Sequence, residues 1–152
     1  MAGPSARTAT FTPMTELNGS TTHRNLIATF SRESQASQRY SWFAQQADID
    51  GRPDAAALFR SVADSETGHA HGALEFLVDA GDPVTGLPIG ETDDHLAAAA
   101  ASEDEDATVT YPAFARVARE EGFDQIADWF ESLARAEAGQ RDRFREASGE
   151  RG

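Results

Sequence analysis

The sequence predicts an all-α protein, a four-helix bundle made of two repeated helical hairpins joined by one long crossover. Three observations carry that prediction. Four long stretches place apolar residues at spacings of three and four, the period of an amphipathic helix. Gly51, Gly81 and Gly122 stand where the first three stretches end, suiting left-handed C-caps. Residues Tyr40–His69 align without a gap on Tyr111–Gln140 at a constant offset of 71. The matches include Tyr40/Tyr111, Phe43/Phe114, Ala44/Ala115, Ala47/Ala118, Phe59/Phe130, Ala63/Ala134, Glu66/Glu137 and Gly68/Gly139.

At 152 residues the chain suits one domain with a real core. Its net charge of −13 and pI near 4.5 argue against nucleic acid or an anionic membrane surface as partner. There is no Lys for Schiff-base chemistry and no Cys for disulfides, thiolate metal sites or thiol nucleophiles. No apolar run approaches the ~18 residues of a membrane span. The N-terminus lacks the apolar core of a signal peptide, so a cytoplasmic location is expected.

Residues 1–20, rich in Ala, Thr, Pro, Ser and Gly, read as a disordered tail, with Ser20, Thr21 or Thr22 available as a cap. The domain is expected over 21–147, with a short C-terminal tail at 148–152. The first helix is predicted from His23 to Ile49. Leu26, Phe30, Glu33, Ser37, Tyr40, Ala44 and Ala47 form its stripe. Pro53 suits the first turn of a second helix, predicted to reach Ala80. Here Ala55, Phe59, Val62, Ala73 and Phe76 share a stripe with Glu66 and His69, and this stripe is expected to be the buried one. The few residues between these helices make them antiparallel neighbours. Gly81 to Glu91 is rich in loop signals and reads as the crossover.

The third helix is predicted from Asp93 to Glu121, with Thr92 as its cap. Pro112 lies deep inside it and removes a backbone donor. Glu33 precedes Tyr40 by seven residues, whereas Glu103 precedes Tyr111 by eight. Both facts predict a kink or π-bulge between Glu103 and Pro112. The fourth helix, Asp124 to Glu146, carries Ile126, Phe130, Leu133, Glu137, Gln140 and Phe144 on one stripe.

A Glu or His inside an apolar stripe needs a partner, because an unpaired buried charge is costly. The repeat supplies Glu33, then Glu66-x-x-His69, then Glu103, then Glu137-x-x-Gln140. The dinuclear carboxylate pattern of ferritin-like bundles is a Glu from each of two helices and Glu-x-x-His from each of the other two. Five of six positions match by type. Four converging carboxylates would repel one another, and two divalent cations would cancel them. Such a donor set suits iron or manganese.

The segments NLIATFSRESQASQRYSWFAQQAD, SETGHA and TYPAFARVAREEGFDQIADWFESLARAE resemble the erythrin part of rubrerythrins. The resemblance runs from about Leu17 to Phe144. GDPVTGLPIGET is similar to the linker of stand-alone members without a rubredoxin domain, in keeping with the absence of Cys. The resemblance implies that Glu33, Glu66, His69, Glu103 and Glu137 are di-iron ligands, and that Tyr40 and Tyr111 hydrogen-bond them. It implies reduction of hydrogen peroxide, or reaction with dioxygen, in defence against oxidative stress. It also implies a homodimer. Two positions depart from the pattern. Gln140 stands for a His and offers only a neutral carbonyl oxygen. Asp106 stands for a Glu that joins or leaves iron, and is one methylene shorter. Asp104 or Glu105 could substitute if the bulge rotates the helix.

The expectation is therefore a peroxidase-like oxidoreductase with two iron ions, manganese or a mixed pair being the alternative. Its metal ligands are Glu33, Glu66, His69, Glu103, Asp106, Glu137 and Gln140, and an external donor supplies electrons. The rival readings are a di-iron oxidase or oxygenase acting on an organic substrate, which a pocket beside the metals would favour, and a non-enzymatic iron-binding bundle with a degenerate site. His23, His71 and His95 are expected at the surface, Trp42 and Trp129 in packing, and Arg141, Arg143 and Arg145 against a helix dipole.

Overall fold

Ser20 opens the first helix. Its hydroxyl accepts a hydrogen bond from the His23 amide at 3.0 Å, satisfying one of the unpaired donors of a helix N-terminus. The computed structural model describes residues 16–149. Of the predicted N-terminal tail, residues 1–15 lie outside the described residues. Asn18 and Gly19 form a turn, and the Ser20 amide bonds the Leu17 carbonyl at 3.1 Å. Of the C-terminal tail, 150–152 lie outside the described residues, and the Ser148 amide still bonds Phe144 at 3.1 Å.

Helix α1 spans Thr21–Ile49 and α2 spans Pro53–Leu77. Between them Gly51 takes a φ of 69°, which favours glycine. Helix α2 stops three residues before the predicted Ala80, where the Ala80 and Gly81 amides both bond the Leu77 carbonyl. Helix α3 spans Thr92–Glu105, a π segment Asp106–Thr110, α4 Tyr111–Glu120 and α5 Asp124–Ala147. The cap of α3 is Glu91, not Thr92: Glu91 and Asp94 form a reciprocal capping box. The predicted bulge is present. The Tyr111 amide reaches back five residues to the Asp106 carbonyl, and Pro112, without an N–H, follows at once.

The described chain is all-α, with the helices of a ferritin-like fold in two hairpins. Helices α1 and α2 pack along their length, and α5 packs against α3, the π segment and α4. No helix of the first hairpin packs on a helix of the second. Within each hairpin the contact seam is made of small side chains. Ala56, Ala63, Ala70 and Leu77 of α2 are buried at intervals of seven, facing Ser37, Ala44 and Ala47 of α1. Ala115, Ala118 and Ala127 are buried at the corresponding positions of the second hairpin. Small residues let two helix axes approach closely.

This seam differs from the predicted stripe on α2. Only Ala73 of that stripe is buried; Ala55, Phe59, Val62 and Glu66 are half-buried, His69 is exposed, and Phe76 is 71% exposed. The larger side chains flank the seam because it is too narrow to admit them. Among the described residues Leu77 is the one large side chain that is fully buried. The hairpins also share a cross-helix ion pair with its charges reversed. Asp48 of α1 pairs with Arg60 of α2, and Arg119 of α4 pairs with Glu131 of α5 at 2.7 Å, at matching repeat positions.

Candidate metal centre

Glu33 on α1 and Glu66 and His69 on α2 meet beside the first seam. The His69 Nδ1 lies 2.8 Å from the Glu66 carboxylate and 3.3 Å from that of Glu33. One ligand atom from each residue falls within 4.8 Å of the others. The i, i+3 spacing puts Glu66 and His69 one turn apart on a single face. Register between the helices is held nearby, where the hydroxyls of Ser37 and Thr67 share a 2.8 Å hydrogen bond. Hydrogen bonds from Glu33 and His69 hold the Glu66 carboxyl below its ordinary value. The same two carboxylates, Glu66 foremost, raise the His69 imidazole. A proton on His69 thus supplies part of the positive charge that this group of carboxylates calls for.

On the second hairpin the equivalents of Glu33 and Glu66, Glu103 and Glu137, come together as a pair. Glu103, at the end of α3, has its carboxyl pushed up to about 7 by burial, by its hydrogen bond with Glu137 and by the charges of Glu137 and Asp106. Two carboxyls sharing a site cannot both ionise freely. Burial, followed by Asp106, Glu137 and Glu103, likewise raises the Tyr111 phenol. The charge of Asp106, at the head of the π segment, thus acts on both Glu103 and Tyr111.

The single convergence expected from four helices is thus divided within the chain. Glu33, Glu66 and His69 form one group; on the second hairpin Glu103 pairs with Glu137, and these do not close with Asp106 into a group as tight as the first. The two lie on hairpins whose helices do not pack on each other. Gln140 is exposed and has no polar side-chain partner among the described residues. Asp104 is removed from the candidate ligands, because Arg141 holds its carboxylate at 2.9 Å and Arg145 lies at 3.6 Å. Glu105 is exposed. Arg141 and Arg145, expected against a helix dipole, instead bind α5 to α3. No local spacing marks that pairing, because Arg141 lies 37 positions from Asp104.

The tyrosines also depart from expectation. Neither hydroxyl bonds a carboxylate among the described residues. Tyr40 packs with Phe43 and Phe59 at centroid distances of 6.1 and 6.2 Å, and Tyr111 with Phe114 and Phe130 at 6.2 and 6.1 Å. Trp42 and Trp129 are more than half exposed, against an expectation of packing. Among the described residues His23, His71 and His95 make no hydrogen bond or ion pair with either group. His23 receives the Gly19 amide, and His95 meets the Ile89 carbonyl at 2.9 Å.

Carboxylates from two helices with an imidazole one turn away, repeated with an amide in place of the second imidazole, are the donor set of the ferritin-like dinuclear carboxylate proteins. The donors fit that pair of cations by their chemistry: protons now balance the charge that cations would balance. The rubrerythrin family profile matches residues 24–148. The chain is 42% identical over 136 residues to a rubrerythrin of Nitratidesulfovibrio vulgaris, covering 86% of this chain and 71% of that protein. It is 41% identical over 138 residues to a rubrerythrin of Porphyromonas gingivalis, covering 86% and 69%. It is 33% identical over 142 residues to Rubrerythrin-1 of Clostridium acetobutylicum, covering 86% and 71%. The chain belongs to the rubrerythrin family, and it is a di-iron protein of that type. Among the described residues no helix is long and apolar enough to cross a membrane.

Proposed function

We propose that the protein is an oxidoreductase that reduces hydrogen peroxide at a pair of iron ions, with electrons from an external donor. The observation that carries this reading is the Glu33–Glu66–His69 cluster and its repeat at Glu103 and Glu137. Glu66 and Glu137 would bridge the ions, Glu33 and His69 would hold one, and Glu103 with Gln140 the other. When bound and reduced, the pair supplies the two electrons that convert peroxide to water. Tyr111, held in its protonated form by burial and by three carboxylates, remains a hydrogen-bond donor beside them. Asp106, one methylene short of the family's Glu, stands near enough for its charge to act on Glu103. Gln140 binds less firmly than an imidazole, so one metal position is tight and the other loose.

Stopped-flow mixing of the anaerobically reduced, iron-loaded protein tests this. Oxidation by peroxide should outrun oxidation by dioxygen. The reverse order would favour the oxidase, and negligible iron after anaerobic loading would sink both readings.

One observation favours the oxidase or oxygenase as second reading. A mostly apolar cavity of about 450 Å³, lined by Leu74, Val78, Val84, Ile89 and Ala98, ends on Glu103. A small organic substrate could sit there. An apolar compound that binds the loaded protein and accelerates dioxygen consumption would support it.

A further inference from the structure

We infer that the Asp104–Arg141 ion pair is a positioning device for the second metal position. It clasps the turn of α3 that carries Glu103 to the turn of α5 that carries Glu137 and Gln140, and so sets how firmly that position holds its cation. This role rests on the proposed function, which gives Glu103 and Gln140 to one ion.

The two hairpins repeat their acidic residues but not the contact that holds those residues in register. On the first, the Ser37 and Thr67 hydroxyls meet at 2.8 Å across α1 and α2. Thr67 donates its one proton to the Ala63 carbonyl at 3.1 Å, so Ser37 is the donor between the two hydroxyls. The repeat position of Thr67 is Ala138, and a methyl group cannot make this bond. The second hairpin carries instead an ion pair one residue beyond the candidate ligands on each helix. Asp104 follows Glu103, and Arg141 follows Gln140. The repeat position of Arg141 is Ala70, buried in the first seam, so this pair has no counterpart there.

The pair is built more firmly than an ordinary surface contact. An exposed ion pair contributes little, because water screens it and two flexible side chains must be held still. The Arg141 side chain is only 19% exposed. Its guanidinium is also aimed: Nε and Nη2 each lie 2.8 Å from the Asp142 carboxylate, which leaves Nη1 to donate to Asp104 at 2.9 Å. Arg145, one turn further along α5, brings a second cation to 3.6 Å from the same Asp104 oxygen.

The clasp stands where α3 most needs one. Glu103 lies three residues before the π segment, and the regular hydrogen-bond ladder gives way between them. The Asp106 amide is shared between the Ser102 and Glu103 carbonyls, the Tyr111 amide reaches back five residues to Asp106, and the Thr108 hydroxyl donates to the Asp104 carbonyl at 2.7 Å. A helix whose ladder slips does not by itself fix the direction of the side chains before the slip. On the first hairpin an imidazole orders the ligands directly, since His69 lies 2.8 Å from Glu66. Gln140 makes no such contact among the described residues. Order at the second position therefore depends on how the two backbones are held, and the ion pairs between α3 and α5 among the described residues are those of Asp104 with Arg141 and Arg145.

The sign of one effect separates positioning from electrostatics. Removing Arg141 deletes a positive charge and frees the Asp104 carboxylate, so Coulomb attraction alone would tighten cation binding. Loss of position loosens it, because contacts that orient metal ligands contribute about 10–100-fold to affinity. The probe is cobalt(II), added anaerobically to the metal-free full chain and followed by its visible absorption. The wild type should take up two ions, one tightly and one loosely. Arg141→Met should weaken the loose step about tenfold and leave the tight step unchanged. Arg141→Lys keeps the charge but cannot bridge Asp142 and Asp104 with one planar fork, and should recover part of the loss. Arg143→Met deletes an exposed positive charge two residues away and should leave the loose step unchanged or tighter.

A metal-free readout accompanies these titrations. In Arg141→Met, amide hydrogen exchange should quicken over Glu103–Asp106 and stay as in the wild type along α1 and α2. Equal weakening of both steps, a tighter loose step in Arg141→Met, or unchanged exchange over Glu103–Asp106 overturns the inference. Should Arg141→Met fail to fold, Arg141→Lys decides: its loose step should be weaker than that of the wild type, and equal affinity overturns the inference. A wild type with no loose step refutes the two-ion reading of the site, and the clasp's role falls with it. A loose step that ignores Arg141 refutes the clasp alone.

Discussion

Glu103 holds its proton to about pH 7, well above the ordinary carboxyl value of 4.5. A carboxyl raised on folding contributes stability below its unfolded value and loses that contribution as pH rises to the folded one. The metal-free protein should therefore lose stability from this group between about pH 4.5 and 7. The variant Glu103→Gln should melt a few °C above the metal-free wild type at pH 7.5 and no higher at pH 4.5, as followed by circular dichroism. The His69 imidazole is raised in turn by Glu66 and Glu33, so its contribution is present at low pH and lost as pH rises through its raised value. A metal must displace both protons. Affinity for ferrous iron should thus climb with pH from about 5.5 to 8, with proton release detectable by calorimetry in buffers of different ionisation enthalpy. Gln140→His restores an imidazole at the repeat position of His69 and should tighten the weaker metal position roughly tenfold. Unchanged affinity and stoichiometry would count against Gln140 as a ligand.

The elements bring these residues into register, and two features of the helices can be tested directly. The α1–α2 seam has room for alanine and little more. Ala63→Leu should overfill it at a cost of about 1–3 kcal/mol in a denaturant titration. The π segment sets the phase of Glu103 and Asp106 against Tyr111. Deleting Ala107 should restore a continuous α-helix and rotate the preceding residues by about 100°. Helix content should stay nearly constant while iron binding at the Glu103–Glu137 position is lost. Retained stoichiometry would show that the bulge does not set ligand phase.

The repeat made much of this legible from the residues alone. The slip of one residue between Glu33/Tyr40 and Glu103/Tyr111 locates the bulge. The seam was not legible in the same way. Hydropathy ranks Phe59 and Val62 above Ala56 and Ala63, yet helices approach most closely where side chains are smallest. The periodic pattern therefore pointed to the flank of the contact. Asp104 stayed among the ligand candidates because its arginine partners lie 37 and 41 positions away in the chain.

For the whole molecule the governing fact is charge. The net charge is −13, and Glu33 and Glu66 stand within 4.8 Å of one another and of His69. Cations bound there offset like charges, so metal binding and folding stability should be linked. Chelation should lower the melting temperature of the iron-loaded protein by a few °C in calorimetry, and salt should recover part of the loss by screening. An unchanged melting temperature after chelation would separate the two.

The sequence by itself determined the helices, the bulge and the chemical identity of the donors. Those properties follow from local spacing and from a repeat that fixes which residues are equivalent. Only the tertiary structure decided which face of each helix is buried, which acid is claimed by arginine, and that the two halves of the site lie on hairpins that do not close on each other. These depend on how near two backbones come, a distance that is not encoded in the pattern of any single segment.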